Sequence, residues 1–334
     1  MTLASKGAAM NKPLITIARW SLVLLCATAT AARAQTDAKP PYPVERVTLV
    51  THSSPGGGSD VFLRDLAKHL GPILRVRFVV ENITGGSGAK AMAYVARAKP
   101  DGSVFYATTP TYIQTSLLSK PEFSYTSLEP VAIVFQDPEV IFTRADAPWK
   151  SLSELLEYAR RNPGKSRWGA ANPASLERIA LERLAKKSGA KAPVVPHEGG
   201  GDMMINVLNG TLDIGVGEVQ EMQGQLQAGK IRLLAALSEQ RLSLLPDVPT
   251  VKEQGVDLVV RKFRGLAGPK GIPPEVTQAL EAGLRKALED PAYKASYTKN
   301  DLLPAFMNRQ QARAFTTEFA GELTQSMQEL GAIK

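Results

Sequence analysis

The sequence contains only one cysteine, Cys26, which lies in an apolar run near the N-terminus. Aromatic residues make up only 6% of the 334 residues. The formal net charge of +8 falls to +4 once the four basic residues of positions 1–34 are set aside. The shortage of cysteine excludes a disulfide-stabilised scaffold and a cysteine-based metal site. The modest charge, with no basic cluster, argues against a nucleic-acid-binding protein.

The motifs of several enzyme classes are also missing. The chain has no Gly-x-x-x-x-Gly-Lys-Ser/Thr phosphate loop, no Gly-x-Ser-x-Gly nucleophile turn and no histidine pair at metal-ligand spacing. Gly86-x-Gly88-x-x-Ala91 matches the glycines of a dinucleotide fingerprint, but no acidic residue stands near position 106 to hold a ribose. We therefore expect no catalytic residue, no cofactor and no metal ion.

The N-terminus has the composition of an export signal. Lys6 and Lys12 precede an apolar stretch over 20–32, and Ala32-Arg33-Ala34 is a typical cleavage site. The apolar stretch is short for a membrane span, although an uncleaved anchor helix is the alternative. We expect residues 1–34 to be a signal peptide that is removed.

The rest of the chain alternates apolar strand patterns with helical stripes, which predicts an α/β fold with parallel sheets covered by helices. A chain of this length favours two lobes, and ligands of such folds bind at the carboxyl ends of the strands. The predicted strands cover 47–51, 78–80, 104–107, 131–135, 167–171, 194–197, 212–216 and 231–237. The predicted helices cover 61–70, 89–98, 152–159, 174–187 and 202–208, with two more beginning at 274 and 309.

Two loops share the order strand, three glycines, acidic residue, helix. They cover 53–60 and 197–202, about 140 residues apart. Glycines let backbone N–H groups approach a ligand, and a helix N-terminus favours an anion. One such loop is usually a tight turn, but two matching loops predict that each lobe offers one to a shared cleft. Asn172-Pro173 predicts a third helix start, with Asn172 as N-cap.

Two histidines, His52 and His197, end the strands before the glycine loops. Each is either a satisfied strand-end residue or a cleft residue that hydrogen-bonds ligand.

Several ordered motifs together resemble the solute-binding receptors of tripartite tricarboxylate transporters, also called Bug-type receptors. The motifs are Pro55-Gly56-Gly57-Gly58-Ser59-Asp60, Val79-Val80-Glu81-Asn82, Pro100-Asp101-Gly102, Asn162-Pro163-Gly164-Lys165, Gly229-Lys230-Ile231-Arg232 and Leu245-Pro246-Asp247-Val248-Pro249-Thr250-Val251. The resemblance covers about residues 42–330. It implies the type II periplasmic-binding-protein fold, with two α/β lobes around a ligand cleft. Lobe 1 would comprise 42–138 plus 264–334, and lobe 2 would comprise 139–263.

The resemblance also implies a function. Such a receptor captures a small organic carboxylate or related solute in the periplasm, holds it with backbone N–H groups from both lobes, and delivers it to membrane transporter components. The residues expected to bind ligand are Ser54, Pro55, Gly56, Gly57, Gly58, Ser59, Asp60, Thr109, Asn172, Ala174, Ser175, His197, Gly199, Gly200, Glu218 and Arg264.

Four departures from the family pattern leave the ligand open. His52 stands where a proline is usual, and His197-Glu198-Gly199 replaces Tyr-Lys-Gly. Gly217-Glu218 occupies the stretch of a usual aspartate, and Arg264 replaces an apolar residue. Glu198 would repel a second ligand carboxylate, whereas Arg264 would attract one. A monocarboxylate, an aromatic acid and an amide-bearing solute all fit.

Two other functions remain alternatives. One is a secreted hydrolase that uses His52 or His197 as a base, which lacks an evident nucleophile. The other is a sensor that reports ligand occupancy to a membrane kinase.

Overall fold

The computed structural model describes residues 42–334, so the predicted signal peptide lies outside the described residues. Within 42–334, no helix combines the length and the apolar character that crossing a membrane requires. The strands are β1 (Arg46–Thr51), β2 (Arg77–Asn82), β3 (Val104–Thr108), β4 (Leu128–Gln136), β5 (Glu139–Arg144), β6 (Trp168–Ala170), β7 (Val194–Pro196), β8 (Ile214–Glu218), β9 (Ile231–Ala236), β10 (Phe263–Pro269) and β11 (Leu303–Met307). The helices are α1 (Gly58–Leu74), α2 (Ala89–Ala96), α3 (Pro110–Ser119), α4 (Leu152–Arg161), α5 (Leu176–Ser188), α6 (Gly200–Leu208), α7 (Val219–Gln227), α8 (Pro274–Glu289), α9 (Pro291–Lys299) and α10 (Arg309–Glu329).

The strands form two sheets, one in each α/β lobe. The first has six strands in the order β11-β4-β10-β3-β1-β2, and the second has five in the order β7-β6-β8-β5-β9. The chain crosses from the first sheet to the second between β4 and β5, and returns just before β10. The glycine loops follow β1 in the first sheet and β7 in the second, so both lie at carboxyl ends of strands.

The expected parallel pairing holds for only part of each sheet. Strands β1, β2 and β3 are parallel, as are β6, β7 and β8. However, β10 lies antiparallel between β3 and β4, and β5 lies antiparallel between β8 and β9. Each sheet therefore contains an antiparallel strand that is contiguous with an interlobe crossing.

Local sequence explains where the helices begin and end. Phe62, Leu63, Leu66 and Leu70 form one buried stripe along α1. Helix α5 is capped by the Ser175 side chain, carries two lysines in its last turn and ends at a left-handed glycine. The predicted cap at Asn172 was wrong by one turn. Asn172 instead accepts the N–H of Ala174 in a side-chain turn that precedes the helix.

Candidate functional site

The first glycine loop leads into an uncapped helix start. Gly57 is the N-cap residue of α1, and no side chain within residues 42–334 caps this end. Asp60, expected as a possible cap, instead folds back to accept the N–H of Gly56 at 3.0 Å, and it also pairs with Arg64. Asp60 therefore shapes the loop, and the first N–H groups of α1 are left without an intrahelical acceptor.

The second glycine loop has the same construction. Gly199 is the N-cap residue of α6, and the described part of the chain supplies no side-chain cap there either. The backbone of Gly199 is extended, with φ 169° and ψ 171°. Both glycine loops thus present uncapped helix N-termini, the ends of the helices at which an anion is stabilised.

The two loops contact each other across the lobes. A Cβ atom on Gly199 would lie 2.6 Å from the backbone nitrogen of Ser54, and one on Gly201 would lie 2.6 Å from the carbonyl oxygen of Pro55. No real side chain tolerates such distances, so the approach depends on glycine. The prediction that the loops face a common space is therefore supported by their direct contact.

A small interlobe cavity lies beside this contact, with a volume of about 20 Å³. Its lining residues are His52, Ser53, Gly58, Ser59, Thr109, Thr111, Ala171, Asn172, Glu177, Gly199, Gly200, Glu218, Glu221 and Lys262. A second cavity of about 90 Å³ shares His52 and Asn172 and extends to Gly85–Gly88, Pro173 and Glu198. The interlobe cavity holds about one water molecule, so the lobes must separate to admit a solute.

Five helix starts converge on the interlobe cavity. Besides α1 and α6, they are those of α3, α5 and α7. Thr109 is the N-cap residue of α3 and accepts the N–H of Thr111, whereas Glu177 lies in the first turn of α5. Glu218 is the N-cap residue of α7, and Glu221 lies in its first turn. The positive ends of these helices stabilise the negative charge collected at the interlobe junction.

A buried ion cluster fills the junction beside the cavity. Nζ of Lys262 lies 2.6 Å from Oε1 of Glu139 and 2.5 Å from Oε1 of Glu177, and it also contacts Glu218. The three carboxylates come within 4.8 Å of one another, close enough to share a metal ion. The ammonium group of Lys262 lies where a shared cation would bind, and its three hydrogens face three carboxyl acceptors.

Arg264, expected to bind ligand, is also part of the ion cluster. Its side chain is only 1% exposed. The guanidinium donates to Asp137 and Glu218 at 2.5 Å each, and to Oγ of Ser59 at 2.6 Å. Three of the five guanidinium N–H groups therefore donate within the protein, which ties the charge of Arg264 to the ion cluster.

Burial and charge set the protonation of the ion cluster. Burial raises the pKa of Glu218, but Lys262 and Arg264 lower it more, so the carboxylate stays ionised. Burial raises the pKa of Glu139 and Glu221 well above the usual range. Burial also raises the pKa of Asp137 to about 6, against the opposing effect of Arg264. At neutral pH Glu139 and Glu221 thus keep their protons, while Glu177, Glu218 and Asp137 face the two cations.

His52 is the histidine that reaches the cavities. Its Nδ1 lies 2.9 Å from the hydroxyl oxygen of Tyr106, and both cavities include it in their walls. Burial, followed by the charge of Arg264, lowers the pKa of His52 to about 4. His52 is therefore neutral at physiological pH.

The predicted binding residues fall into two groups. Those that line the interlobe cavity are Gly58, Ser59, Thr109, Asn172, Gly199, Gly200 and Glu218. Those outside the lining of both cavities are Ser54, Pro55, Gly56, Gly57, Asp60, Ala174, Ser175, His197 and Arg264. Ser54 and Pro55 form the contact with the second loop, and Ser175 caps α5 through its hydroxyl. The expected binding residues include His197 but not His52. Both histidines end strands, and that position alone does not tell which ring turns into the cleft.

Seven of the fourteen lining residues were absent from the expected binding set, and three of those carry a carboxyl or ammonium group: Glu177, Glu221 and Lys262. Lys262-x-Arg264 and Asp137-x-Glu139 stand beside apolar runs. Charged residues alternating at the edge of an apolar run are a signal for buried ion pairs, because an isolated buried charge is prohibitively costly. Glu177 and Glu221 carry no comparable signal.

Comparison with known proteins agrees with this architecture. The family model described as "Tripartite tricarboxylate transporter family receptor" matches residues 62–331. A curated relative, "UPF0065 protein in gbd 5'region" from Cupriavidus necator, is 30% identical over 92% of this chain and 93% of its own length. "Protein BugT" from Bordetella pertussis is 25% identical over 91% of this chain and 95% of its own length.

Solved structures show the same fold. The periplasmic binding protein BugD is 28% identical, has a TM-score of 0.83 and covers 88% of this chain and 100% of its own. R. palustris Rpa4515, solved with adipate, has the same TM-score of 0.83 at 24% identity, over 87% of this chain and 98% of its own. With two α/β lobes, a cleft between them and a family match over most of its length, the chain belongs to the tripartite tricarboxylate transporter receptors, which are periplasmic solute-binding proteins.

Proposed function

We propose that this chain captures a small organic carboxylate between its lobes, releases it unchanged, and presents it to membrane components of a tripartite transporter. The observation that carries the proposal is the contact between Gly199 and Ser54, which brings two uncapped helix N-termini together. The N–H groups of both helices then face one ligand, and each helix dipole favours its negative charge.

The lobe boundaries follow the same proposal. We place lobe 1 at 42–138 plus 264–334 and lobe 2 at 139–263. Strand β5 begins at Glu139, directly after the first boundary, while β10 begins at Phe263, one residue before the second. Hinge motion at these two crossings would open the small interlobe cavity and admit the solute.

Export to the periplasm through a cleaved signal over 1–34 completes the proposal. The family assignment supports that location, and the sequence supports the cleavage after Ala34. Binding without chemical change agrees with the state of His52, since a histidine with a pKa of about 4 is a weak base at neutral pH.

Isothermal titration and thermal unfolding of the purified protein with a panel of small organic acids test the proposal. A ligand present at about 100 times its Kd raises the free energy of unfolding by roughly 2.7 kcal/mol. The absence of any heat and any thermal shift across the panel would overturn it. Turnover of a panel compound, lost in His52→Gln, would favour the hydrolase instead.

A further inference from the structure

The wall of the interlobe cavity combines helix N-termini with unpaired carboxylate oxygens. Glu177 is only 3% exposed, and its Oε2 has no hydrogen-bond partner among residues 42–334. Oε1 of Glu221 is also buried and unpartnered within the described range, and both side chains line the cavity. Both residues thus bring carboxyl oxygens to the wall that the glycine loops border, and Glu177, which also accepts the proton of Glu139, keeps lone pairs free to accept.

The cations near this wall are already paired. Lys262 lines the cavity, but its three ammonium hydrogens are matched by Glu139, Glu177 and Glu218. Arg264 donates from all three nitrogens to protein groups. A second carboxylate on the solute would therefore meet two carboxyl groups of the protein, beside two cations whose charge already faces protein carboxylates.

Glu221 faces the cavity as an acceptor. Its carboxyl group hydrogen-bonds Glu218, and burial together with the Glu218 charge keeps the proton on Glu221 by raising its pKa. That proton is shared with Glu218, so the other carboxyl oxygen of Glu221 is an acceptor. Two acceptors in one wall match a group with two or more N–H donors, such as an amide or an ammonium, better than a methyl group or an anion.

We propose that the solute is a monocarboxylate whose other end carries an amide or ammonium group, which donates to Glu177 and Glu221. This inference rests on the proposed function, because it assigns the far end of the solute whose carboxylate lies at the glycine loops. It makes the chain selective against dicarboxylates.

Two matched series of compounds test the inference by isothermal titration at pH 7. The four-carbon series is succinate, succinamate, 4-aminobutanoate and butanoate. The six-carbon series is adipate, adipamate, 6-aminohexanoate and hexanoate. Within each series one carboxylate and the chain length stay fixed while the far group changes. We expect the amide or the ammonium compound to bind at least about tenfold more tightly than the dicarboxylate of its series.

Variants locate the preference on the protein. In Glu221→Met the acceptor carboxyl is removed at similar side-chain volume, so the ratio of affinities between the N–H compound and the dicarboxylate should fall by about tenfold. Glu177→Gln should act in the same direction, with its thermal midpoint measured separately because Glu177 also pairs with Lys262. Glu182→Gln is the matched control: it lies on α5, at the surface, paired with Arg178. It should leave the ratio unchanged.

The outcomes separate this inference from the proposed function. Tightest binding by succinate or adipate overturns the inference and leaves carboxylate capture standing. An unchanged ratio in both Glu221→Met and Glu177→Gln also overturns it. No binding by any member of either series overturns the inference, while the proposed function then stands or falls on the wider acid panel.

Discussion

Gly199 in one lobe contacts Ser54 in the other so closely that a Cβ atom would lie 2.6 Å from the Ser54 backbone nitrogen. Because the Gly199 backbone is extended, an alanine there meets no conformational strain of its own. A side chain at position 199 therefore disfavours only the close approach of the two lobes.

Gly199→Ala should weaken binding of the best acid in the panel by about tenfold or more, while the midpoint of thermal unfolding without ligand changes little. The reason is that the loops can no longer approach. Titration calorimetry measures the affinity. Gly224→Ala is the control, since its Cβ has no heavy atom within 4 Å, and it should bind normally. Equal affinity in Gly199→Ala and Gly224→Ala would remove the loop contact from the binding site.

Gly57→Val is a less useful test, although the sequence alone suggests it. A Cβ on Gly57 would lie 3.2 Å from the carbonyl oxygen of Ser54 and would also strike the Ser53 side chain within its own loop. Lost binding would then report a distorted loop.

Lys262→Met should destabilise the protein by roughly 3–5 kcal/mol at pH 8, because it leaves buried carboxylates without their cation. The loss should shrink at pH 5, where Glu177 and Glu218 can take up protons once Lys262 is gone. Urea unfolding at both pH values measures this. Lys252→Met, which removes an exposed pair with Glu239, should cost far less, because solvent screens that pair. Comparable losses in the two variants would contradict a structural ion cluster.

Arg264→Met should lower stability, because the guanidinium holds Asp137, Glu218 and Ser59 together. It should also lower the affinity for every acid by the same factor. Affinities for succinate and succinamate, compared with the native protein, measure the selectivity. A loss confined to succinate would restore Arg264 as a direct partner of a second carboxylate.

His52 should make stability depend on acidity. The pKa of its buried ring is about 4 against 6.5 in the unfolded chain, so the unfolded state takes up the proton first as the pH falls. The native protein should therefore lose about 2 kcal/mol relative to His52→Gln between pH 7 and pH 5. Asp137, whose pKa is raised to about 6, contributes with the opposite sign but is present in both proteins. Parallel stability curves would show that His52 is not held neutral.

Much of the fold could be predicted from local patterns. The strand before each glycine loop and the helix after it follow from apolar runs ended by glycine, and both loops were placed correctly before α1 and α6. Strands β5, β10 and β11 were missed. In β5 the charge of Glu139 precedes a run of only three apolar residues, and in β10 Arg264 interrupts the apolar run. Those charges are tolerated only because partners from distant segments surround them, which no local pattern shows.

The binding site was predictable only in part. Gly58, Gly199 and Gly200 belong to loops with a recognisable order of residues, whereas Glu221 is an ordinary first-turn acid until α7 is placed against α6. A Cβ on Gly200 would lie 2.7 Å from Cδ of Glu221, a contact between residues of separate helices. His52 lines the cavities and His197 does not, because their side chains point in different directions. The direction of a side chain at a strand end also depends on the tertiary fold.

Titration of the 15N-labelled protein with the tightest-binding acid of the panel, followed by amide NMR shifts, tests the central claim most directly. We expect the amides of Gly58 and Ser59 in one lobe and of Gly199 and Gly200 in the other to shift together and saturate at one affinity. Shifts confined to a single lobe, or absent from all four amides while the acid binds elsewhere, would contradict capture between the two glycine loops.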